Sequence, residues 1–220
     1  MGTLYVVATP IGNLGDVTAR ALEVLGNVDL VAAEDTRVTG RLLAAKSLRK
    51  PMLSYRAPVE RRSLPRLLEA LANGDVALVS DAGTPTVSDP GQRLVAAAWE
   101  AGHTVVAVPG PSAVAAAVSV AGFPGPGYCF VGYLPRRPGQ LRRLFESLRE
   151  AERPAVAFES PHRIEKSLAV LEEVLPERGV AVARELTKLH EEVVRGTPAE
   201  VRARLAGLAR GEITLVIAGA

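Results

Sequence analysis

The chain alternates short, continuous apolar runs with longer amphipathic stretches. Leu4–Ala8, Val28–Ala33, Val76–Val79 and Thr104–Val108 carry almost no polar positions and read as strands covered on both faces, as in a parallel sheet. Between them the spacing predicts a helix over Val17–Leu25 with Asp16 as its N-cap, and a second through Leu42 and Leu43. A third spans Glu60–Leu71, a fourth starts at Pro90-Gly91 and runs to Glu100 before Gly102, and a small-residue helix covers Ala113–Val120. The stretch from Pro51 to Pro58 is a connection with no assigned element. Strands alternating with helices are the mark of βαβ units, so the first half is expected to form a doubly wound, mostly parallel sheet.

The run Ala121-Gly122-Phe123-Pro124-Gly125-Pro126-Gly127 is the richest in Gly and Pro and sets the expected domain boundary, giving residues 1–121 and 122–220. Beyond it the pattern predicts strands at Tyr128–Tyr133, Pro154–Phe158 and Ile213–Ile217. Helices are expected at Gly139–Arg149, Ile164–Leu175 and Ala199–Ala209. Val180–Ala183 and Val193-Val194 are too close for a helical crossover and should pair antiparallel. The fold class is therefore α/β in two domains, the first sheet mostly parallel and the second mixed.

Composition narrows the partner classes. At 220 residues, 48% hydrophobic and 23% charged, the chain is globular, and a formal charge of +2 does not announce a nucleic-acid binder. Cys129 is the only cysteine, which excludes an internal disulfide and a thiolate metal cluster and fits a reducing, cytoplasmic setting. The amino terminus lacks the pattern of a signal peptide, and no apolar run reaches the roughly 18 residues of a membrane span. His103, His162 and His190 stand too far apart for a metal motif, so no metal is expected. A phosphate-binding Gly-x-x-x-x-Gly-Lys loop, a Gly-x-Gly-x-x-Gly turn and a Gly-x-Ser-x-Gly elbow are all absent.

What remains is a series of polar and Pro/Gly clusters, each just after an expected strand: Thr9–Asp16, Glu34–Arg37, Ser80–Gly91 and Pro109–Ser112. Parallel strands bring such clusters to one edge of the sheet, where open α/β sheets bind ligands, with backbone amides as the main contacts. In the second half, Glu159–Arg163 and Arg184–Lys188 also follow strands; capping with solvated ion pairs and a functional role both fit them. Arg136, Arg137, Arg142, Arg143 and Arg149 gather in and before one helix, with Arg61, Arg62 and Arg66 as a weaker group. A solvated face and a surface for phosphates both suit such a run. Only Tyr133 and Phe145 lie nearby, so no single-strand stacking platform is evident, and Trp99 is expected to pack its helix on the sheet.

Six stretches then carry a resemblance. Thr9-Pro10-Ile11-Gly12-Asn13-Leu14, Ala33-Glu34-Asp35-Thr36-Arg37, Ser80–Gly91, Val108–Ala113, Phe158–Arg163 and Arg184-Glu185-Leu186-Thr187-Lys188 resemble, in that order, the rRNA 2'-O-methyltransferase branch of the tetrapyrrole methylase superfamily. The likeness runs from Leu4 to the Gly211–Leu215 segment. It implies a homodimeric enzyme that uses S-adenosylmethionine (SAM), folded into a cleft between two α/β domains. The implied reaction is methylation of the ribose 2'-hydroxyl of a cytidine in the decoding region of 16S rRNA, on the RNA or the 30S subunit.

On that resemblance, Pro10, Asp81, Gly83, Thr84, Pro109, Ser112, Ala113, Phe158 and Ala183 match cofactor-binding positions. Glu34, Asp35, Arg37, Glu185 and Lys188 are the candidates for handling the hydroxyl proton, with Lys188 open to either a base or a cation role. Arg136, Arg137, Arg142 and Arg143 are the candidates for RNA. Two departures stand out: the segment Ser54–Glu60 lacks the Ser-x-His-x-x-Asn-like sequence usual in relatives, and the chain stops at Ala220 where many continue into a helical extension. A tetrapyrrole-precursor methyltransferase and a non-catalytic rRNA-binding assembly factor are the alternatives.

Overall fold

The computed structural model describes residues 1–57, 59–207 and 210–220; Pro58, at the end of the expected connection, and Leu208-Ala209, at the end of the expected last helix, lie outside these. The chain divides into two compact units, Met1–Ser112 and Ala113–Ala220. The division falls nine residues before the Gly/Pro-rich segment expected from sequence, because the helix Ala113–Ala121 packs on strands of the second unit.

In the first unit, β1 (Thr3–Val7), β2 (Leu30–Ala33), β3 (Met52–Ser54), β4 (Val76–Val79) and β5 (Thr104–Val108) form one sheet in the order β3-β2-β4-β1-β5. Every pair is parallel. Because β4 is buried at all four positions, its continuous apolar run is the expected signature of a strand covered twice. One covering layer sets Leu25 of α1 (Ala19–Asn27) and Leu43 of α2 (Thr36–Ala45) against Val7, Val31 and Val79. The other sets Leu67 and Leu71 of α3 (Glu60–Asn73) and Leu94 of α4 (Gln92–Glu100) against Leu4, Val76 and Leu78. Burying a Leu or Val contributes about 1.5–3 kcal/mol, so the two faces fix the sheet from both sides.

Several expectations need correction. Thr18, not Asp16, caps α1: its hydroxyl accepts from the Ala21 amide at 3.1 Å, while Asp16 closes a separate 3-10 turn that starts at Asn13. The connection at 51–58 contains the short edge strand β3. Trp99 does not pack on the sheet; it is 61% exposed. Two residues flanking Pro58 are tied into the first unit. Tyr55 is fully buried in the second layer, and Glu60 accepts the Gly91 amide (3.3 Å) and pairs with Arg93 (3.4 Å).

The second unit opens with α5 (Ala113–Ala121) and builds a mixed sheet, β6-β7-β10-β8-β9, from Cys129–Tyr133, Ala155–Glu159, Val180–Arg184, Glu192–Gly196 and Ile213–Ile217, numbered β6 to β10 in chain order. Only β6 and β7 are parallel; β8 and β9 form the expected antiparallel pair. One face is sealed by α6 (Pro138–Ser147), α7 (Ile164–Val174) and α8 (Pro198–Leu205) through Phe145, Leu168, Leu171 and Val201. The small side chains of α5 let it lie closely on β8 and β10.

Candidate active site

In the first unit β1 and β4 are neighbours, yet the chain leaves β1 toward β2 and leaves β4 toward β5, in opposite directions. Such a topological switch point is where open sheets place their ligand crevice. The loop ends are tied across it. Thr9 and Gly83 exchange backbone hydrogen bonds, N to O 2.9 and 3.0 Å, and the Thr9 hydroxyl donates to the Ser80 carbonyl at 3.1 Å. Thr84 donates to the Pro111 carbonyl at 3.3 Å. Toward β2, the Asp35 amide donates to Asp81 Oδ1 (2.9 Å) and the Asp81 amide donates to Glu34 Oε2 (3.2 Å).

These ties join Thr9, Ser80, Gly83, Thr84 and Pro111, with Asp81 tied to Glu34 and Asp35, at the carboxyl ends of the strands; Pro10, Pro109 and Ser112 are next to tied residues in the chain. The backbone-amide reading changes, however, because Gly83 spends both its amide and its carbonyl on Thr9. At φ +79° it shapes the rim. Thr86 and Ser88 also hold positive φ in this loop, a conformation non-glycine residues adopt only where their surroundings enforce it.

Among the candidate proton handlers, Asp35 behaves as a cap. Its carboxylate accepts from the Arg37 amide (2.8 Å) and pairs with the Arg37 guanidinium (2.5 Å), which holds its pKa well below the usual range. Arg37 is 87% exposed, so this is a solvated local pair. Glu34 differs: burial raises its pKa, the Asp81 amide opposes that, and the Asp81 and Asp35 charges add to the rise. Sequence reasoning missed Asp89 in the same loop. Burial, then the charges of Glu34 and Asp81, push its carboxyl up to about 6. The only signal was its place in the Ser80–Gly91 run, which does not reveal burial.

In the second unit, Arg184–Lys188 ends β8 and enters the turn to β9. Glu185 and Thr187 both have positive φ. Lys188 Nζ sits 2.9 Å from both Glu185 Oε1 and Glu212 Oε2. Burial opposes the ammonium charge, but these two carboxylates outweigh it and its pKa is raised. With its charge favoured in this way, Lys188 suits the cation role better than the base role. The Lys188 hydrogen bond, with the Glu212 amide, lowers the Glu185 carboxyl. Gly211 at φ +82° makes room, since a Cβ there would sit 2.2 Å from Glu185 Cδ. An open groove of about 630 Å³ beside this turn is lined by Arg184, Glu185, His190, Glu191 and Arg210.

Ala113, Phe158 and Ala183 also belong to the second unit: Ala113 starts α5, Phe158 lies in β7 and Ala183 is buried in β8. Arg142 pairs with Glu173, and Arg143 donates to the Gly139 carbonyl at 3.2 Å. Arg136 and Arg137 are exposed, with no side-chain partner among the described residues. No group of three or more His, Cys, Asp or Glu able to hold a metal occurs among them either.

The family model for Tetrapyrrole (Corrin/Porphyrin) Methylases matches residues 3–202. A Ribosomal RNA small subunit methyltransferase I of Thermotoga maritima is 46% identical over 100% of this chain and 99% of the relative. The chain belongs to the ribosomal RNA small subunit methyltransferase I family. Another member, from Neisseria meningitidis serogroup B, is 48% identical over 98% of this chain and 76% of its own length. The fold of this methyltransferase family is shared with uroporphyrin-III-C-methyltransferase from Thermus thermophilus, at TM-score 0.67 and 21% identity, covering 99% of this chain and 94% of the other. The chain is thus a methyltransferase of tetrapyrrole methylase fold. Among its described residues no helix is long and apolar enough to cross a membrane.

Proposed function

We propose that the chain transfers the methyl group of SAM to the ribose 2'-hydroxyl of a cytidine in the decoding region of 16S rRNA, acting in the cytoplasm as a homodimer. The observation that carries this reading is the 46% identity, end to end, with a relative named as a small-subunit rRNA methyltransferase.

The donor set of the first-unit rim fits SAM. Pro10, Gly83, Thr84, Pro109 and Ser112 supply no phosphate-binding cation, whereas Asp81 and Asp89 make the rim acidic, which suits a ligand bearing a sulfonium and an ammonium. Pro10, Asp81, Gly83, Thr84, Pro109 and Ser112 are the first-unit residues that would hold it. When bound, SAM supplies an activated methyl group. The chain itself must position the ribose and manage its proton, and positioning alone contributes roughly 7–11 kcal/mol in favourable cases. Glu34, with its raised pKa, accepts the proton of the hydroxyl. In the second unit Lys188, its charge favoured by Glu185 and Glu212, stabilises negative charge on the RNA. Asp35 and Arg37 hold the start of α2 in place.

Incubating the protein with labelled SAM and either 30S subunits, free 16S rRNA or porphyrinoids tests the reading. Label in the RNA, mapped to a 2'-O-methylcytidine of the decoding region, is the expected result. Label only in the porphyrinoid, or SAM-independent RNA binding without product, would overturn it.

A further inference from the structure

The segment that follows β6 is built with more care than a connection requires. Between Phe130 and Tyr133 the register of β6 against β7 slips: Phe130 pairs with Val156 and Tyr133 with Phe158, so three steps on one strand match two on the other. Gly132, at φ +73°, supplies the extra residue. In a regular strand Tyr133 would share a face with Val131, which packs against the core under α6 and α7. The bulge instead turns Tyr133 to the opposite face, where Phe130 and Tyr133 both meet the ring of Phe158, edge to face at 4.9 and 5.5 Å. Tyr133 remains 65% exposed on this aromatic base.

The next two residues are clamped. Arg163 donates to the carbonyls of Leu134 (3.3 Å) and Pro135 (2.7 Å). Its guanidinium pairs with Glu159 at 3.3 Å, whose carboxylate is fully buried and also accepts from the Ser160 amide (2.7 Å) and the Ser167 hydroxyl (2.6 Å). An inward carboxylate is costly to bury and a buried pair adds little net stability, so the Glu159–Arg163 motif is better explained by the geometry it imposes on residues 134–135. Immediately beyond the clamp stand Arg136 and Arg137, exposed and without side-chain partners among the described residues.

We propose that Tyr133, Arg136 and Arg137 form a ledge for single-stranded RNA, with the tyrosine ring stacking on a nucleobase and the two guanidinium groups holding flanking phosphates. The ledge rests on the reading of the chain as an rRNA methyltransferase and adds the surface that grips the substrate. Aromatic rings and unpaired arginines side by side are complementary to RNA, since every base presents a π-face and every linkage a negative charge. Arg163 acts as a positioning residue through the clamp.

The test uses the full chain and a short single-stranded RNA containing the decoding-region cytidine, with RNA affinity read by fluorescence anisotropy and SAM affinity by calorimetry. Tyr133→Ala should weaken RNA binding about 5- to 150-fold, the range expected for one lost base stack, while Tyr133→Phe binds nearly as the parent does. Arg136→Ala/Arg137→Ala should also weaken RNA, and this double variant and Tyr133→Phe, which keeps the ring on Phe158, should hold SAM affinity within about twofold. RNA binding by Tyr133→Ala equal to the parent overturns the ledge, as does a loss of SAM affinity or of self-association in its place. If the parent protein methylates no small-subunit RNA, the proposed function itself falls. Methylation by the parent with unimpaired variants removes the ledge alone.

Discussion

Lys188 is the residue at which burial and pairing compete most openly. A lysine that loses water tends to lose its proton, but two carboxylates at 2.9 Å reverse the balance and keep it charged. Lys188→Ala and Glu34→Ala are accordingly expected to retain SAM binding by calorimetry and to lose methyl transfer by about a hundredfold or more, the range of one general acid–base or charge-stabilising contact. Full activity in both variants would separate these residues from the chemistry. Asp89 gives a prediction of opposite character. Its folded pKa of about 6 lies above the ordinary 3.8, so between those values the native protein holds a proton the unfolded chain releases. Stability therefore falls as pH rises from about 4 through 6, and the penalty is complete above 6. Asp89→Asn should be more stable than the parent at pH 8, by about 1 kcal/mol once solvent screening of a partly exposed group is allowed for. The gap should close near pH 4; urea unfolding at the two pH values measures it.

The Ser80–Gly91 loop shows how an element stores what its residues need. Gly83 and Gly91 both hold positive φ, but their surroundings differ. A Cβ on Gly83 would meet nothing closer than Ile11 Cγ2 at 3.4 Å, whereas on Gly91 it would lie 2.7 Å from Leu78 Cδ2 and 3.1 Å from Thr86 Cγ2. Gly83→Ala should cost about 1 kcal/mol from backbone conformation alone, and Gly91→Ala about 2–3 kcal/mol, because core displacement adds to strain. Equal unfolding midpoints in urea would contradict this ordering. The placement of this loop was legible because Val76–Val79 is apolar at every position and is followed by Ser80-Asp81-Ala82-Gly83-Thr84-Pro85. Edge strand β3 was not, since its three residues leave Met52 exposed and carry no run to read. The start of α1 was misplaced because Asn13, Asp16 and Thr18 are all plausible caps, and only tertiary placement selects Thr18. The clamp at Glu159 escaped for a related reason: an acid four residues before an arginine looks solvated until Leu134, Pro135 and Ser167 surround it.

At the scale of the molecule, the sequence showed two α/β units and the order of their loops but placed the boundary at the conspicuous Gly/Pro segment. The helix Ala113–Ala121 belongs beyond it because small residues, inconspicuous in sequence, are what close packing on β8 and β10 requires. Charge follows the same logic. With 26 basic and 24 acidic side chains the molecule has almost no net field, so attraction to RNA must come from local arginines left unpaired. Each phosphate contact to a single strand contributes a slope of about −0.7 in log K against log salt through counterion release. Removing Arg136 and Arg137 together should therefore flatten the slope by about 1.4, measured by anisotropy from about 50 to 300 mM salt. Arg142 is already neutralised by Glu173, and Arg142→Ala should leave the slope nearly unchanged even though it lies on the neighbouring helix and carries the same charge. Equal flattening by either change would mean that RNA senses the helix as a diffuse basic face, whereas a difference confined to the Arg136/Arg137 pair means that pairing within the protein decides which arginines reach the phosphates.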